Sequence, residues 1–291
     1  FTTKKEAKLL IRKMLRRLPD KHYLYFVYLL TFGRRLNWKQ PTYWTEKTQW
    51  KKLYDRRSLL TRVADKIELR KYAVDKLGMD IMPKIFWESQ SPDDIPFAIL
   101  PDQFVIKTNH GSGTNIIVTD KKLLDIEETV KMLREWLDID FYYIEKEWAY
   151  KNIQRKVFVE ELLLNQKNEI PGDIKLYMFR GKLGAVNVHM DRFGPNHVNI
   201  MTNARFEPIN KEDDLSIGRV EINKPASFDR MVKCAEQLSA EFDFVRVDFY
   251  DLDDDFMLSE LTNYPVGGFK RMPEDLDRYL GELWELPPLE D

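Results

Sequence analysis

The chain of 291 residues has one cysteine, Cys234, and four scattered histidines, His22, His110, His189 and His197. A single cysteine excludes a disulfide framework and a thiolate zinc site, and it fits a reducing compartment. The histidines show no metal-ligand spacing. No apolar run approaches the roughly 20 residues of a membrane-spanning helix. The apolar and aromatic stretch Tyr23 to Leu30 is too short to span and reads as a buried helix. Two nucleotide signatures are also missing. No Lys follows the glycines as in G-x-x-x-x-G-K-[ST], and the kinase motifs H-R-D and D-F-G do not occur. The sequence begins at Phe1 rather than Met, so a preceding native N-terminus is expected and no targeting signal is read from it.

What is present allows a large core and two or three subdomains, with 43% apolar residues. Net charge is −2, yet residues 1–60 hold 16 Lys and Arg against 4 Asp and Glu, a net +12; the remainder holds 30 against 44, a net −14. That asymmetry suggests an anionic neighbour for the N-terminal part. Residues 3–18 read as a helix with Ala7, Leu10 or Ile11, Met14 and Leu18 on one face and Lys5, Lys8, Arg12, Lys13, Arg16 and Arg17 over much of the rest. It is either a solvated basic helix or a contact for anionic lipid. No nucleic-acid motif accompanies the charge, so no nucleic-acid partner is expected.

The stretch Phe104 to Val118 organises the chain. It reads as strand, glycine loop, strand, with Lys107 ahead of His110-Gly111-Ser112-Gly113-Thr114. Without Cβ atoms, a loop can bring several backbone N–H groups to an anion, and a nearby cation suits a polyphosphate. An ordinary hairpin with a solvated lysine is the alternative. Around it, a helix capped by Thr45 and a second over 60–77, stopping at Gly78, precede a strand at Met82 to Trp87. A helix over 125–138 follows the hairpin. Val157 to Leu163 is a strand that ends in Glu160-Glu161-Leu162-Leu163, where the acids either emerge into solvent or face an adenine ring. Asp173, Lys175 and Tyr177 alternate on one strand face, and residues 196–224 look irregular. After a helix over 226–241, Arg246, Asp248 and Tyr250 alternate on a strand whose returning partner carries Glu260 and Thr262. Two carboxylates held together repel unless a cation lies between them, and oxygen-only ligands suit Mg²⁺; a buried Arg246–Asp248 pair is the alternative.

In order, the segment Glu46 to Arg56, Asp65-Lys66, the lysine–glycine hairpin, the acidic hinge, Arg246-Val247-Asp248 and Glu260-Leu261-Thr262 resemble the ATP-grasp superfamily. The likeness is to its teichuronopeptide-biosynthesis (TupA-like) branch and covers about residues 42–287. The resemblance implies an α+β fold in which two subdomains sandwich ATP, behind the basic helical segment. The expected divisions are 1–60, 61–162 with the glycine-hairpin lid, and 163–291. It implies that Lys66 and Lys107 contact phosphates, that His110, Gly111, Ser112, Gly113 and Thr114 cover them, and that Glu160, Glu161, Leu162 and Leu163 hold adenine. Asp173 is placed for the ribose, and Lys175 counts among the nucleotide-binding residues. Asp248 and Glu260 would hold Mg²⁺, two ions being expected, and Arg246 would steady the transferring phosphoryl group. The usual Glu-x-Asn is Glu-x-Thr here, so either Thr262 or Asn263 is the third metal ligand. Arg192, at a strand end, either grips a carboxylate acceptor or bridges to its own loop.

The activity so implied is ADP-forming ligation of a carboxylate to an amine through an acylphosphate. The branch suggests an amino acid and a uronic acid or amino sugar of a bacterial surface polysaccharide as partners. Cytoplasmic placement is expected, with the basic segment at the inner membrane face. A sugar kinase and a non-catalytic nucleotide-binding component of a polysaccharide-synthesis complex are the alternatives.

Overall fold

The computed structural model describes residues 14–190, 198–209 and 224–288. Two antiparallel sheets organise them. The first holds β1 (Ile85–Ser89), β2 (Phe104–Thr108), β3 (Asn115–Val118) and β4 (Val157–Glu160) in the order β1-β4-β2-β3. The second holds β5 (Gly172–Phe179), β6 (Lys182–Met190), β7 (Val198–Asn203), β8 (Phe244–Asp251) and β9 (Phe256–Thr262) in the order β7-β6-β5-β8-β9.

Strand alternation decides which side of the second sheet is core. Ile174, Leu176, Met178, Val186, Val188, Val245, Val247 and Phe249 are buried in one cluster. Packed with them are Met231, Ala235 and Leu238 of α7 (Phe228–Ser239), and residues of α3 (Ser58–Ala64) and α4 (Lys66–Leu77). A fully buried side chain such as Phe249 contributes roughly 1.5–3 kcal/mol. With a period of two, Asp173, Lys175, Arg246 and Asp248 then point the other way, toward the first sheet. The first sheet repeats this arrangement. Phe104, Ile106, Val157 and Val159 pack under Leu133 of α5 (Ile126–Leu137), which leaves Lys107 and Glu160 on the opposite face.

The N-terminal helices join this body. In α1 (Asp20–Phe32), Leu24, Val27 and Tyr28 pack with Phe269. In α2 (Trp44–Tyr54), Trp44 packs with Tyr177, Phe244 and Trp284, just beyond α8 (Glu274–Leu283). Lys51 is fully buried and ion-pairs with Asp55 and Asp243. Breaking such a buried pair typically costs about 3–5 kcal/mol. Among the described residues, no helix is long and apolar enough to cross a membrane.

Three local expectations change. The helix over 60–77 is two helices, because Asp65 leaves helical geometry and its carboxylate caps the second through Ile67 N at 2.9 Å and Glu68 N at 3.4 Å. Thr45 is not a cap. Tyr43 occupies that position, and Thr45 is buried against Asp277, with N and Oγ1 donating at 2.9 and 2.7 Å. The irregular segment contains β7, which pairs with β6 through Val188↔Ile200. The basic N-terminal helix falls mostly on residues 1–13, which lie outside the described residues.

Candidate active site

Between the sheets runs a cleft of about 1060 Å³. One wall is the β2–β3 loop with Lys66 and Lys107; the floor is the polar face of the second sheet, with Asp173, Lys175, Arg246, Glu260 and Thr262. Registers place these floor residues side by side: Asp248 opposes Glu260, Lys175 opposes Asp248, and Arg246 opposes Thr262.

The floor is a dense ionic network. Arg246 donates to Asp248 through Nε and Nη2, each at 2.6 Å. The same Nη2 reaches Glu260 and Thr262 Oγ1, each at 3.0 Å. Lys175 donates to Asp248 at 2.6 Å, and Thr262 Oγ1 donates to Glu260 at 2.9 Å. Burial alone would raise the Glu260 carboxyl, but Arg246, Lys175 and Lys66 hold it down to about 2. Glu260 is therefore an anion at any working pH.

The loop wall is anchored rather than loose. Thr108 and Thr114 hydroxyls meet at 2.6 Å, and buried Asn109 ties the loop base to Gln154 O and Lys156 N. Lys66 donates to Gly111 O at 2.5 Å. Burial pushes its ammonium below the usual lysine range; Glu260 opposes that shift and Lys107 adds to it. Lys107 pairs with Glu160 and reaches Tyr250 Oη at 3.4 Å, so it spans from the first sheet to the second. Burial opposes its charge, yet Tyr250 and Glu160 raise its pKa overall.

Ser112, Gly113 and Thr114 line the cleft beside Lys66 and Lys107. His110 does not. It is buried, its Nε2 meets Ile139 O at 3.2 Å, and its ring stands edge-on to Phe141. Burial, then Arg155, lowers it to about 4, so it brings no charge to a phosphate. Gly111 packs against the same Phe141 ring, where a Cβ would collide. Glu160, Glu161, Leu162 and Leu163 border a separate recess of about 80 Å³ with Val105, Ile117, Lys107 and Asp173. Glu160 faces Lys107 there, while Glu161 is exposed.

Oxygen donors for a magnesium ion lie at Glu260 and Thr262 on the cleft. Asp248 sits beneath them, completely buried, with its carboxylate held by Arg246 and Lys175. This set fits Mg²⁺ through Glu260, with Asp248 joining only as it releases a cation. Among the described residues no group of three His, Cys, Asp or Glu could hold a metal. Asn263 is buried and absent from the cleft lining; its Nδ2 donates to Leu60 O at 3.0 Å, while its Oδ1 has no hydrogen-bond partner. Arg192 lies outside the described residues.

Several cleft residues carry no signal in the sequence order. Glu145, the last residue of α6 (Phe141–Glu145), and Glu147, in the irregular chain just beyond it, line the cleft with Tyr150. Lys52 donates to Glu145 O at 3.0 Å and Gly267 O at 2.6 Å, which fastens this side to the turn at Pro265–Gly268. Burial raises Glu147 to about 7; Lys52 opposes the rise and Glu145 adds to it. Asn187 and His189 extend the sheet's polar face by the same alternation that marks Lys175.

Two antiparallel sheets that close on a cleft, one contributing a lysine and a glycine loop and the other an Arg–Asp–Glu floor, define an ATP-grasp protein. The sequence matches the family described as TupA-like ATPgrasp over residues 46–285, and the chain belongs to that family. No curated protein matches it. Similar solved structures include a D-alanine–D-alanine ligase from Bacillus anthracis (20% identity, TM-score 0.42, 70% of this chain and 59% of that one). Another is an N5-carboxyaminoimidazole synthase from Aspergillus clavatus with ADP and 5-aminoimidazole ribonucleotide (15%, 0.42, 78% and 53%). A third is the ATP-grasp ligase PsnB with its minimal precursor, Mg and ADP (13%, 0.40, 82% and 63%). The chain spans between half and two-thirds of the length of these structures.

Proposed function

We propose that the protein is an ATP- and Mg²⁺-dependent, ADP-forming carboxylate–amine ligase that joins an amino acid to a sugar of a bacterial surface polysaccharide. The observation that carries the reading is the convergence of Lys66 and Lys107 with Arg246, Lys175 and Glu260 on one cleft. Lys66, Lys107, Lys175 and Arg246 face Glu260 there, on a lining that also carries Lys270, Arg271, Asp173, Glu145 and Glu147. A triphosphate with its metal would balance that arrangement, and family membership supports the same reading.

The chain's own residues supply the following. Lys66 and Lys107, with the backbone of Ser112 to Thr114, bind phosphate oxygens; the recess at Glu160 to Leu163 takes the base. Bound at Glu260 and Thr262, magnesium would neutralise charge on the terminal phosphates. Arg246 stabilises charge that spreads over the moving phosphoryl group. A substrate carboxylate oxygen attacks the γ-phosphorus, and the bond to ADP breaks. An amine nitrogen then attacks the acyl carbon, phosphate leaves, and the amine gives up a proton. Glu147, held near 7, is positioned at the cleft to accept it.

The test is a matrix of amino acids against uronic acids and amino sugars, read as ADP and phosphate release. Release that needs both a carboxylate and an amine is expected. ADP release with a phosphorylated sugar as sole product would make the protein a kinase. Nucleotide binding without turnover across the matrix would make it a non-catalytic component. The basic N-terminal segment belongs to the proposal as a contact with anionic lipid, at the membrane face where such glycans are assembled.

A further inference from the structure

Helix α1 is apolar on both of its faces. From Tyr23 to Phe32 it contains no charged residue. A helix of that kind is expected to be enclosed on all sides, yet α1 buries only one. Tyr23, Leu24, Val27 and Tyr28 pack inward with Leu36 and Phe269. At 3.6 residues per turn, Tyr25, Phe26, Leu29 and Leu30 fall on the opposite side. Phe26 is 42% exposed and Leu30 38%, so the two form an apolar ridge one turn long.

The charges around this ridge have one sign. Residues 14–40 hold six Lys and Arg and one acid, Asp20. Asp20 is already engaged: it accepts from Tyr142 Oη at 2.7 and 2.8 Å and pairs with buried Lys146 at 3.5 Å. Lys21 and Arg35, by contrast, are exposed and form no ion pair among the described residues. One stands in the first turn of α1 and the other just past its Gly33 cap, so a free cation flanks each end of the ridge. The helix also touches the cleft lining. Arg271, which lines the cleft, donates through Nε to Thr31 O at 2.6 Å. The acids that follow it are engaged elsewhere, Glu274 by Tyr43 Oη at 2.6 Å and Asp275 by Leu276 N at 2.8 Å.

We propose that the outer face of α1 is a membrane-contact surface: Phe26 and Leu30 enter the headgroup boundary of an anionic bilayer, and Lys21 and Arg35 meet its phosphates. The inference builds on the anionic-lipid contact proposed above and places it on the described body of the protein; it does not depend on the ligase reading. An interfacial helix gains from apolar area buried at the acyl boundary and from cations near anionic headgroups, and α1 offers both on one side. A second copy of the chain fits less well. A twofold contact sets the same patch against itself, so the flanking cations of the two copies would meet with no free acid from residues 14–40 to answer them. Because Arg271 joins α1 to the cleft lining, a chain held in this way carries its cleft beside the bilayer.

The experiment is sedimentation of the full chain with vesicles of phosphatidylcholine alone or mixed with phosphatidylglycerol. ADP affinity by calorimetry and oligomeric state by analytical ultracentrifugation are measured alongside, without lipid. Wild type should bind the mixed vesicles, and less so as salt rises from about 0.1 M to about 1 M and the screening length shrinks from roughly 10 Å to 3 Å. Phe26 and Leu30 are both exposed, so Phe26→Gln with Leu30→Gln leaves the core intact and keeps good helix formers. This double variant should lower partitioning about 10-fold, roughly 1.4 kcal/mol, with ADP affinity unchanged. Lys21→Gln with Arg35→Gln should lower it by a similar factor at low salt and by less at high salt. Mixed-vesicle binding that is indifferent to the Phe26 and Leu30 changes would overturn the inference and leave lipid contact to the basic terminus. Equal binding to phosphatidylcholine alone would also overturn it. A lipid-free dimer that the Phe26 and Leu30 changes turn into a monomer would give this face to a second copy instead. No vesicle binding by wild type would remove the lipid contact altogether, while the ligase reading would still be decided by ADP and phosphate release.

Discussion

Asp248→Asn separates a structural carboxylate from a metal ligand. Asp248 is 0% exposed and has three cationic donors within 2.6 Å, two from Arg246 and one from Lys175. Asparagine keeps the shape but offers one acceptor oxygen. Its amide nitrogen must then face the Arg246 fork or Lys175, a donor against a donor. The change also leaves two buried cations with Glu260 and Asp173 as their remaining counter-charges. Removing one partner of a buried ion pair costs about 3–5 kcal/mol. At near 2 °C per kcal/mol for a chain of this size, the melting temperature should fall by about 6–10 °C. Calorimetry in EDTA, without nucleotide, isolates this structural loss because no metal is present. Repeating it with ADP and Mg²⁺ adds the second term: wild type should gain stability from the pair of ligands, and the variant should gain less. A variant that melts within about 2 °C of wild type in EDTA would refute the buried network as a stabilising element. Equal gains from ADP and Mg²⁺ in both proteins would remove Asp248 from the metal site.

Lys107→Met should weaken ADP binding about 10–100-fold, the worth of one or two charge-assisted hydrogen bonds, and calorimetric titration measures it; unchanged affinity would take Lys107 off the phosphates. Thr262→Val and Asn263→Ala separate the two candidates for the third metal ligand: whichever holds Mg²⁺ should raise the Mg²⁺ concentration needed for turnover when replaced, and Asn263→Ala should also lower stability by about 1–3 kcal/mol, since its Nδ2 serves Leu60 O. Buried His110 and half-buried Glu147 tilt stability in opposite directions with pH. His110 falls to about 4, so stability rises as pH climbs from 4 to 6.5; Glu147 rises to about 7, so stability falls from 4.5 to 7. Each slope reaches at most about 1.4 kcal/mol per pH unit, and Asp251, raised to about 6 by burial, adds a fall of its own; relative to wild type, stability from urea melts between pH 4.5 and 6.5 should therefore tilt downward with pH in His110→Gln and upward in Glu147→Gln. Parallel curves for all three proteins would refute both assignments.

The sequence is informative where side-chain period and fold agree, and misleading where a distant residue decides which way a side chain turns. The row Asp248, Lys175 and Glu260 was readable because a strand's period of two forces alternate residues to one face, and hairpins bring the strands together. The same rule carries Asn187 and His189 into the cleft, but neutral residues raise no alarm in a sequence. His110 shows the opposite case. It stands three residues before Gly113, which does reach the cleft, yet Phe141 and Ile139, some thirty residues on, take its ring into the core. Nothing local in the loop encodes that choice. Asn263 follows the same logic, drawn to a carbonyl about two hundred positions earlier. Glu145 ends a helix of five residues, too short to show a period, Glu147 follows it in irregular chain, and Lys52 together with the left-handed turn at Val266 and Gly267 fixes that side of the cleft. Arg246 is the most instructive residue. Two carboxylates at Asp248 and Glu260 imply a cation between them, and its guanidinium already supplies one, touching both. On the proposed reading a metal at this corner would compete with an arginine for Asp248 but not for the cleft-facing side of Glu260. That asymmetry would leave Glu260 to hold magnesium and Asp248 to hold the Arg246 guanidinium beside the phosphoryl group.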